Sequence, residues 1–268
     1  MITHYIKFVC TTIMYVSTHS FCTKGREKMA SMIIVRKAAI SFGKEKVLKN
    51  IDLDVNEGEI FGLLGPSGSG KTTLVKMITG ILEGDQGEIF IKDQKVPSLE
   101  LMKSIGYMAQ SDALYQELTA KENLEFIAAI YGLKRQERKK AIQEVLEIVD
   151  LTDHMDKVVK DFSGGMKRRL SLAASLMHKP DLLILDEPTV GIDPVLRQSI
   201  WSELRKLKNN GMTILVTTHV MDEAEKCDRL AMLRNGYIIA CDTPEKLKEN
   251  QKVDSLEEAF LAYGRNEK

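Results

Sequence analysis

Apolar and polar positions along the chain alternate between strand-like and helix-like patterns after residue 32. The stretches 33–42 and 47–55 predict an antiparallel pair of strands near the start. A short apolar run over 59–64 leads directly into a glycine-rich loop, and a helix is predicted over 71–79. Because strands and helices alternate in this way, we expect an α/β fold with a mainly parallel sheet and helices on its faces.

The segment 111–179 has a helical pattern throughout. Thr119 and Glu122 have the spacing of a capping box that begins an apolar helix. A third helix is predicted over 163–178. We therefore expect a helical insertion that is longer than an ordinary connection between strands. Its second helix carries apolar residues at the spacing of one buried helix face: Ile142, Val145, Leu146 and Val149.

The strand-like pattern returns in the last third of the chain. A continuously apolar run over 181–186 predicts a strand buried on both faces. Asn235-Gly236 predicts a type I′ hairpin turn, and Thr243-Pro244 predicts the start of a C-terminal helix. The remaining predicted elements are a strand over 105–109, a helix over 194–208, a strand over 213–217 and hairpin strands over 228–234 and 237–241.

These elements predict one α/β core over residues 32–241, with its helical insertion at about 111–179, followed by a C-terminal helical tail over 242–268. Residues 1–31 form an N-terminal extension with a different pattern, to which we assign no function. Residues 24–28 can be encoded by a purine run that resembles a ribosome-binding site. This suggests the hypothesis that translation begins at Met29 or Met32 and that the extension is absent from the mature protein.

Composition and charge exclude several classes of protein. The 268 residues are 44% hydrophobic and 28% charged, which argues against a disordered chain. With 38 basic and 38 acidic residues the net charge is zero, so we expect no nucleic-acid partner. We interpret the basic runs at 134–140 and 167–169 as solvated helix faces.

Neither a membrane span nor a metal cage is expected from the sequence. No uncharged apolar run reaches the ~18 residues that a bilayer-spanning helix needs. The cysteines lack zinc-ligand spacing and indicate a reducing compartment. They are Cys10, Cys22, Cys227 and Cys241.

The glycine-rich loop fits the pattern G-x-x-x-x-G-K-[ST] at every fixed position, between a predicted strand and a predicted helix. Its glycines allow backbone N–H groups to surround phosphate oxygens, and the helix N-terminus adds a favourable potential. Lys71 would contact the β- and γ-phosphates, and Thr72 would offer a hydroxyl to Mg²⁺. The candidate nucleotide-binding residues here are Gly65, Pro66, Ser67, Gly68, Ser69, Gly70, Lys71, Thr72 and Thr73.

Two acidic residues follow the apolar strand that is predicted over 181–186. The carboxyl end of a parallel strand lies at the crevice where such sheets bind ligands. Asp186 is therefore the expected Mg²⁺ partner, and Glu187, one step further out, can accept a proton from an attacking water.

A second helix N-terminus that could bind an anion begins at Ser163, Gly164 and Gly165, without a lysine motif of its own. With this segment, the order of motifs resembles the ATP-binding subunits of ABC transporters over about residues 33–240. The resemblance implies a P-loop NTPase core with a mainly parallel sheet, an antiparallel β subdomain and an inserted helical subdomain. It also implies that ATP and Mg²⁺ are sandwiched in a head-to-tail dimer, between the P-loop of one subunit and the Ser-Gly-Gly segment of the other.

The same resemblance implies roles for four further residues. Gln110 corresponds to the Q-loop glutamine, which contacts Mg²⁺ and senses the membrane partner. Asp193 lies in the D-loop, His219 corresponds to the switch histidine at the γ-phosphate, and Phe42 to the aromatic that stacks on adenine.

This sequence departs from the family pattern at four positions. Phe162 and Met166 replace the usual Leu and Gln around the Ser-Gly-Gly segment, Ala109 stands where Pro is common, and Phe42 is often Tyr. None of these changes removes a catalytic side chain or a backbone N–H that contacts phosphate. We therefore expect hydrolysis to be retained.

The function that the sequence predicts is the ATP-hydrolysing subunit of an exporter. It would act as a homodimer or with a paired ATPase subunit, on a separate integral-membrane permease, from the cytoplasm at the inner face of the membrane. The alternative is a soluble ABC-type ATPase of an assembly pathway, such as iron–sulfur cluster assembly. A non-hydrolysing ATP sensor is disfavoured by the presence of Glu187 and His219.

Overall fold

Two β-sheets form the framework of the computed structural model, which describes residues 30–111 and 113–265. The hypothesis about the N-terminal extension concerns residues that lie almost wholly outside the described ones. The strands are β1 (Ser31–Phe42), β2 (Glu45–Asn56), β3 (Ile60–Leu64), β4 (Gln86–Ile91), β5 (Gln94–Lys95), β6 (Ile105–Met108), β7 (Leu182–Asp186), β8 (Thr213–Thr218), β9 (Arg229–Arg234) and β10 (Tyr237–Asp242). The helices are α1 (Lys71–Ile78), α2 (Ala120–Ile130), α3 (Arg135–Ile148), α4 (Gly164–Leu176), α5 (Pro194–Asn209), α6 (Met221–Ala224), α7 (Pro244–Gln251) and α8 (Leu256–Arg265).

The larger sheet has the order β10-β9-β3-β8-β7-β6. All its pairs are parallel except β9 with β10, so the predicted mainly parallel sheet is confirmed. Every residue of β3 and β7 is buried, because both faces of these strands are covered. Because β3, β6, β7 and β8 run parallel, their carboxyl ends lie at one edge of the sheet, where the loops that follow them can meet.

The smaller sheet is antiparallel and has the order β2-β1-β4-β5. The pair β1 and β2 was predicted from the sequence, whereas β4 and β5 were missed. The first three residues of β4 are exposed, and Gly87 has a positive φ of 87°, so this segment lacks a strand-like pattern of its own. It becomes a strand through its pairing with β1, which is interrupted by a register shift between Arg36 and Ala39.

The helical insertion contains α2, α3 and α4. Its capping box is confirmed, since Thr119 Oγ1 accepts from Glu122 N at 3.1 Å and Glu122 Oε2 accepts from Thr119 N at 2.8 Å. The predicted apolar stripe of α3 is also confirmed, because all four of its residues are buried. These side chains share one hydrophobic cluster with β7 and with Trp201 of α5, so the insertion packs directly on the parallel sheet.

The hairpin between β9 and β10 has the predicted type I′ character, because Asn235 and Gly236 both have positive φ values, of 48° and 81°. Gly236 O accepts a 2.8 Å hydrogen bond from Lys49 N of β2, so the turn links the two sheets. Thr243 caps α7 as predicted. Among the described residues, no helix combines the length and the apolar character that a membrane crossing needs.

Candidate active site

The loop between β3 and α1 requires glycine for conformational and for steric reasons. Gly68 and Gly70 have φ values of 78° and 106°, in the left-handed region that favours glycine. A Cβ atom on Gly65 would lie 2.3 Å from Leu233 O, and one on Gly70 would lie 2.6 Å from Leu48 Cδ2. The loop is thus held close to its neighbours on one side, and its rim at Pro66, Ser67 and Gly68 remains exposed.

The first turn of α1, which begins at Lys71, offers an anion-binding helix N-terminus. It contains no acidic side chain, so its backbone N–H groups and the helix dipole keep a positive potential. In the loop before it, the buried Oγ atom of Ser69 has no hydrogen-bond partner among the described residues. Thr72 and Thr73 follow within the first turn and are half-buried. The arrangement suits the phosphate groups of a nucleotide.

The Lys71 side chain reaches back across the loop. Its Nζ atom donates hydrogen bonds to Gly65 O at 2.7 Å and to Pro66 O at 3.1 Å, and the side chain is 5% exposed. Burial lowers the pKa of this ammonium group, while the carboxylates of Glu187 and Asp186 oppose the shift. The positive charge therefore lies between the loop and the acidic end of β7.

Asp186 ends β7 as a fully buried carboxylate. Its Oδ1 atom accepts a 2.5 Å hydrogen bond from Thr217 Oγ1 of β8. Its Oδ2 atom has no hydrogen-bond partner among the described residues. Since a buried carboxylate oxygen without a partner is costly, and since Mg²⁺ prefers oxygen ligands, this residue suits a magnesium ion.

Glu187 lies at the centre of a polar cluster that is formed with three other segments. Its Oε1 atom is 3.1 Å from His219 Nδ1 and 3.6 Å from Lys71 Nζ. Its Oε2 atom accepts a 3.5 Å hydrogen bond from Gln110 Nε2. The carboxylate is 11% exposed, whereas His219 is 44% exposed. We refer to Lys71, Gln110, Glu187 and His219 as the Glu187 cluster.

The backbone of Glu187 has a positive φ of 52°, which is unusual for a residue with a side chain. Such a conformation costs on the order of 1–3 kcal/mol and persists only where the surroundings hold it. The Glu187 N–H group donates to Thr217 O at 3.2 Å and to Thr217 Oγ1 at 3.0 Å. Thr217 therefore holds both the Asp186 carboxylate and the backbone of Glu187.

The N-terminus of α4 is exposed to solvent. Ser163 caps the helix, and both Ser163 and Gly164 are exposed. A Cβ atom on Gly164 would meet nothing within 4 Å, and one on Gly165 would lie 3.8 Å from Gly191 O. We refer to this end of α4, residues 163–165, as the signature end; its first two residues are exposed and Gly165 is half-buried. It lies beside the segment that leads to Asp193.

Asp193 and Phe42 have no polar contact with the Glu187 cluster among the described residues. Asp193 Oδ1 caps α5 by accepting from Val195 N and Leu196 N, each at 3.1 Å. Phe42 ends β1 with 52% of its surface exposed, so it is not a core residue. Among the described residues, no hydrogen bond or ion pair joins Phe42, Asp193 or the signature end to the Glu187 cluster.

Sequence reasoning missed Arg168 and misinterpreted its surroundings. The run 167–169 was expected to be a solvated helix face, and this is wrong for Arg168 and Arg169, which are 6% and 8% exposed. The missed signal is helical periodicity. Arg169 lies on the same i, i+3, i+4, i+7 face as three buried apolar residues, and Arg168 is adjacent to it. Those apolar residues are Leu172, Ala173 and Leu176.

Glu223 of α6 is a second polar residue that was missed. This buried carboxylate accepts hydrogen bonds from Thr189 Oγ1 and, at 2.6 Å, from Thr218 Oγ1. It thereby connects the segment that follows Glu187 with the residue that precedes His219. No pattern in the sequence predicts this role, since α6 has only four residues.

Comparison with known families matches residues 48–190 to the ABC transporter family. The chain belongs to this family. The cassette is 44% identical over 232 residues to the linearmycin resistance ATP-binding protein LnrL of Bacillus subtilis, covering 82% of this chain and 75% of that protein. It is 39% identical over 249 residues to the Nod factor export ATP-binding protein I of Bradyrhizobium diazoefficiens, covering 88% of this chain and 80% of that protein.

A third relative, the probable multidrug ABC transporter ATP-binding protein YbhF of Escherichia coli, is 38% identical over 238 residues. The match covers 86% of the cassette but 41% of that relative's length. The cassette thus corresponds to less than half of this larger protein.

Solved structures show the same fold. An ATP-binding subunit of an ABC transporter has a TM-score of 0.80 at 28% identity, covering 87% of the cassette and 99% of that chain. A dimeric ATP-binding cassette in a post-hydrolysis state with ADP and Pi has a TM-score of 0.74 at 28% identity, covering 79% of this chain and 98% of that one. The cassette is accordingly an ATP-binding subunit that hydrolyses ATP, as the motifs predicted.

Proposed function

We propose that this cassette hydrolyses ATP as a head-to-tail dimer and drives export through a separate integral-membrane permease. The observation that carries the proposal is the Glu187 cluster, together with a signature end that is exposed on the same chain. Relatives named for linearmycin resistance and Nod factor export support the export direction. In this role the cassette lies in the cytoplasm, bound peripherally at the inner face of the membrane.

Within the cluster, Glu187 is the general base for the attacking water. Its carboxylate is almost buried and lies 3.1 Å from His219 Nδ1, so the imidazole can hold the carboxylate and the water in register. Gln110, 3.5 Å from the other carboxylate oxygen, fixes the opposite side. Lys71 supplies positive charge to the β- and γ-phosphates, and the catalytic effect comes mainly from positioning and charge stabilisation.

The Mg²⁺ ion that the family uses would be held by Thr72, Gln110 and Asp186. The free Oδ2 atom of Asp186 and the oxygen atoms of the other two side chains suit this hard cation. When bound, the ion neutralises charge on the β- and γ-phosphates.

The nucleotide itself would lie over the P-loop. Phe42 stacks on the adenine through its exposed ring. The backbone N–H groups of the loop and of the first turn of α1 surround the phosphates. The residues assigned to this contact are Gly65, Pro66, Ser67, Gly68, Ser69, Gly70, Lys71, Thr72 and Thr73.

The second half of each site would come from the partner copy. Residues Ser163, Gly164 and Gly165 form an exposed helix N-terminus without an acidic residue in its first turn, which suits the γ-phosphate held by the other subunit. Asp193, which is exposed, would reach across the same interface. A dimeric neighbour structure supports this arrangement.

Glu187→Gln tests the catalytic assignment. We expect the variant to bind Mg-ATP with wild-type affinity, to lose at least about 10²-fold in kcat, and to accumulate as an ATP-dependent dimer, because the base is lost while the phosphate contacts remain. Phosphate release and light scattering after gel filtration measure both effects. Glu88→Gln, which changes an exposed glutamate paired with Lys95 on the antiparallel sheet, is the control. Wild-type turnover in Glu187→Gln would refute the assignment.

The permease partnership is tested by fractionating cells that express the cassette at its natural level. We expect it in the membrane fraction, bound to an integral-membrane protein that copurifies with it. Recovery of an active dimer only in the soluble fraction, without such a protein, would contradict transport and support the alternative of a soluble assembly ATPase.

A further inference from the structure

Arg168, in the second turn of α4, connects two loops at the edge of the parallel sheet. Its Nη1 atom donates to Ala109 O at 2.7 Å and to Gln110 O at 2.9 Å, in the loop after β6. Its Nη2 atom donates to Asp186 O, at the end of β7, and, at 2.7 Å, to Glu187 O, which follows that strand. One buried guanidinium group thus binds four backbone carbonyl oxygens from two segments that are distant in sequence.

The planar shape of the guanidinium group determines what this contact does. Two forks of donors on a rigid plane fix the distance and orientation between the two loops, which a flexible ammonium group could not do equally well. The burial of Arg168 also makes its hydrogen bonds costly to lose, since a buried guanidinium group whose donors have lost their acceptors is destabilising.

The hydrogen bond from Arg168 to Glu187 O helps to hold the unusual backbone conformation of Glu187. Glu187 has a positive φ of 52°, and Thr217 binds its N–H group on one side. Arg168 binds its carbonyl group on the other side. Both ends of the strained residue are therefore held, and the direction of the Glu187 side chain depends on these two contacts.

We propose that Arg168 is a positioning residue for hydrolysis, which holds Gln110 and Glu187 in register with each other and with α4. This inference rests on the proposed function, since the N-terminus of α4 is the signature end that would meet the nucleotide of the partner subunit. Through Arg168, the helix that carries the signature end is bonded directly to the backbone of the catalytic carboxylate of its own chain. Arg168 does not contact substrate, so its effect lies in the turnover rate.

The adjacent Arg169 provides a matched control. It is the same residue type on the same helix, with nearly the same burial. Its Nη1 atom donates to Val149 O at 3.0 Å and to Asp150 O at 2.8 Å, at the end of α3. Arg169 therefore also binds backbone carbonyl groups, but these belong to the helical insertion and not to the loops of the Glu187 cluster.

The experiment compares Arg168→Gln, Arg168→Lys, Arg169→Gln and Arg169→Lys in the full chain. For each variant, kcat, KM, the Kd for Mg-ATP and the Tm are measured. We expect Arg168→Gln to reduce kcat by roughly 10- to 100-fold with a Kd within about threefold of wild type, because small displacements of positioned groups cost that much. Arg168→Lys should recover part of the rate, since it keeps the charge and some of the donors.

For Arg169→Gln we expect a comparable fall in Tm with kcat within about threefold of wild type. The inference would be overturned if Arg168→Gln and Arg169→Gln lost kcat equally and in proportion to their fall in Tm, because that result would show a purely structural role. Unchanged kcat in Arg168→Gln would overturn it as well. If Arg168→Gln does not fold, the same comparison between the two lysine variants decides the question.

Glu187→Gln and Arg168→Gln together distinguish a failure of the proposed function from a failure of this inference. If Glu187→Gln forms no ATP-dependent dimer while Arg168→Gln still lowers kcat selectively, the sandwich arrangement is wrong and the positioning role stands. If Glu187→Gln dimerises normally and Arg168→Gln retains full kcat, the role of Arg168 alone is refuted.

Discussion

At the scale of single residues, the chemistry depends on charges that are close together and shielded from water. Glu187 and Lys71 are 11% and 5% exposed, and their nearest charged atoms are 3.6 Å apart. Each balances part of the charge of the other, so the pair tolerates burial that an isolated charge would not. Removal of either charge would leave the other buried without its partner, so substitutions in this group are expected to affect stability as well as binding or turnover.

Lys71→Ala is expected to weaken ATP binding by about 10²-fold or more, because a buried positive charge that would meet the phosphates is removed. Titration with a fluorescent ATP analogue measures the Kd. Lys76→Ala, which changes an exposed lysine in the last turn of the same helix, should bind normally. Unchanged affinity in Lys71→Ala would contradict the phosphate-binding role of the loop.

Tyr107 of β6 gives the protein a pH dependence in the alkaline range. Burial, together with the nearby Asp186 charge, raises the pKa of its phenol to about 12. The unfolded chain releases this proton at about pH 10, whereas the folded chain keeps it to a higher pH. The contribution of the neutral Tyr107 phenol to the free energy of unfolding is therefore complete below pH 10 and is lost as the pH rises towards 12.

Tyr107→Phe removes this titration. The free energy of unfolding, measured in urea at pH 9 and pH 11, should fall more steeply with pH for the wild type than for the variant. Equal slopes would show that Tyr107 does not titrate differently in the folded and unfolded states.

At the scale of elements, each helix and strand takes part of its stability from its own sequence and part from its neighbours. Helix α3 has an amphipathic pattern that was recognised directly, and its buried face completes the core shared with the parallel sheet. Strand β4, in contrast, depends on pairing with β1.

Leu146→Ala tests the packing of the helical insertion. Leu146 is fully buried in α3, so the truncation should reduce the free energy of unfolding by about 2–5 kcal/mol through lost burial and a residual cavity. Urea unfolding measures this loss, with Lys139→Ala on the exposed part of the same helix as a control that should change little. A loss below about 1 kcal/mol in Leu146→Ala would show that the insertion is not packed as described.

At the scale of the whole molecule, the exposed P-loop rim and the exposed signature end are complementary surfaces of one chain. In the proposed head-to-tail dimer, the rim of one copy would meet the signature end of the other, and each nucleotide would have one binding surface from each subunit. Arg168 then joins the surface that a subunit presents to its partner with the catalytic loops of that same subunit.

Crosslinking tests this arrangement. In the Glu187→Gln background, with the natural cysteines replaced by serine, Ser67→Cys and Gly164→Cys are combined and treated with a short bismaleimide. We expect a covalent dimer only with Mg-ATP, because the nucleotide brings the two surfaces together. Each single cysteine variant is the control and should remain largely monomeric. Absence of the crosslink with Mg-ATP in the double variant would refute the head-to-tail sandwich.

Features that depend on neighbouring residues were predicted correctly from the sequence. The capping box at Thr119, the turn at Asn235 and the glycine-rich loop before Lys71 each involve positions a few residues apart. Local sterics and backbone hydrogen bonding determine such features, so they can be recognised without a tertiary structure. The interpretation of Arg168 as a solvated residue is wrong because the helical periodicity beside it was overlooked, and the identity of its partners could not be predicted because they lie far away in the chain.

The sequence by itself determined the nucleotide-binding loop, the alternation of strands and helices, and the family to which the chain belongs. Only the tertiary structure decided that Gln110, Glu187 and His219 lie together, because their proximity depends on the neighbouring positions of β6, β7 and β8 in the sheet. It also decided which groups compensate the buried charge of Arg168, since the four carbonyl groups come from the loop after β6 and from the end of β7 with the residue after it. Interactions between remote segments depend on strand order and packing, which no local pattern of residues specifies.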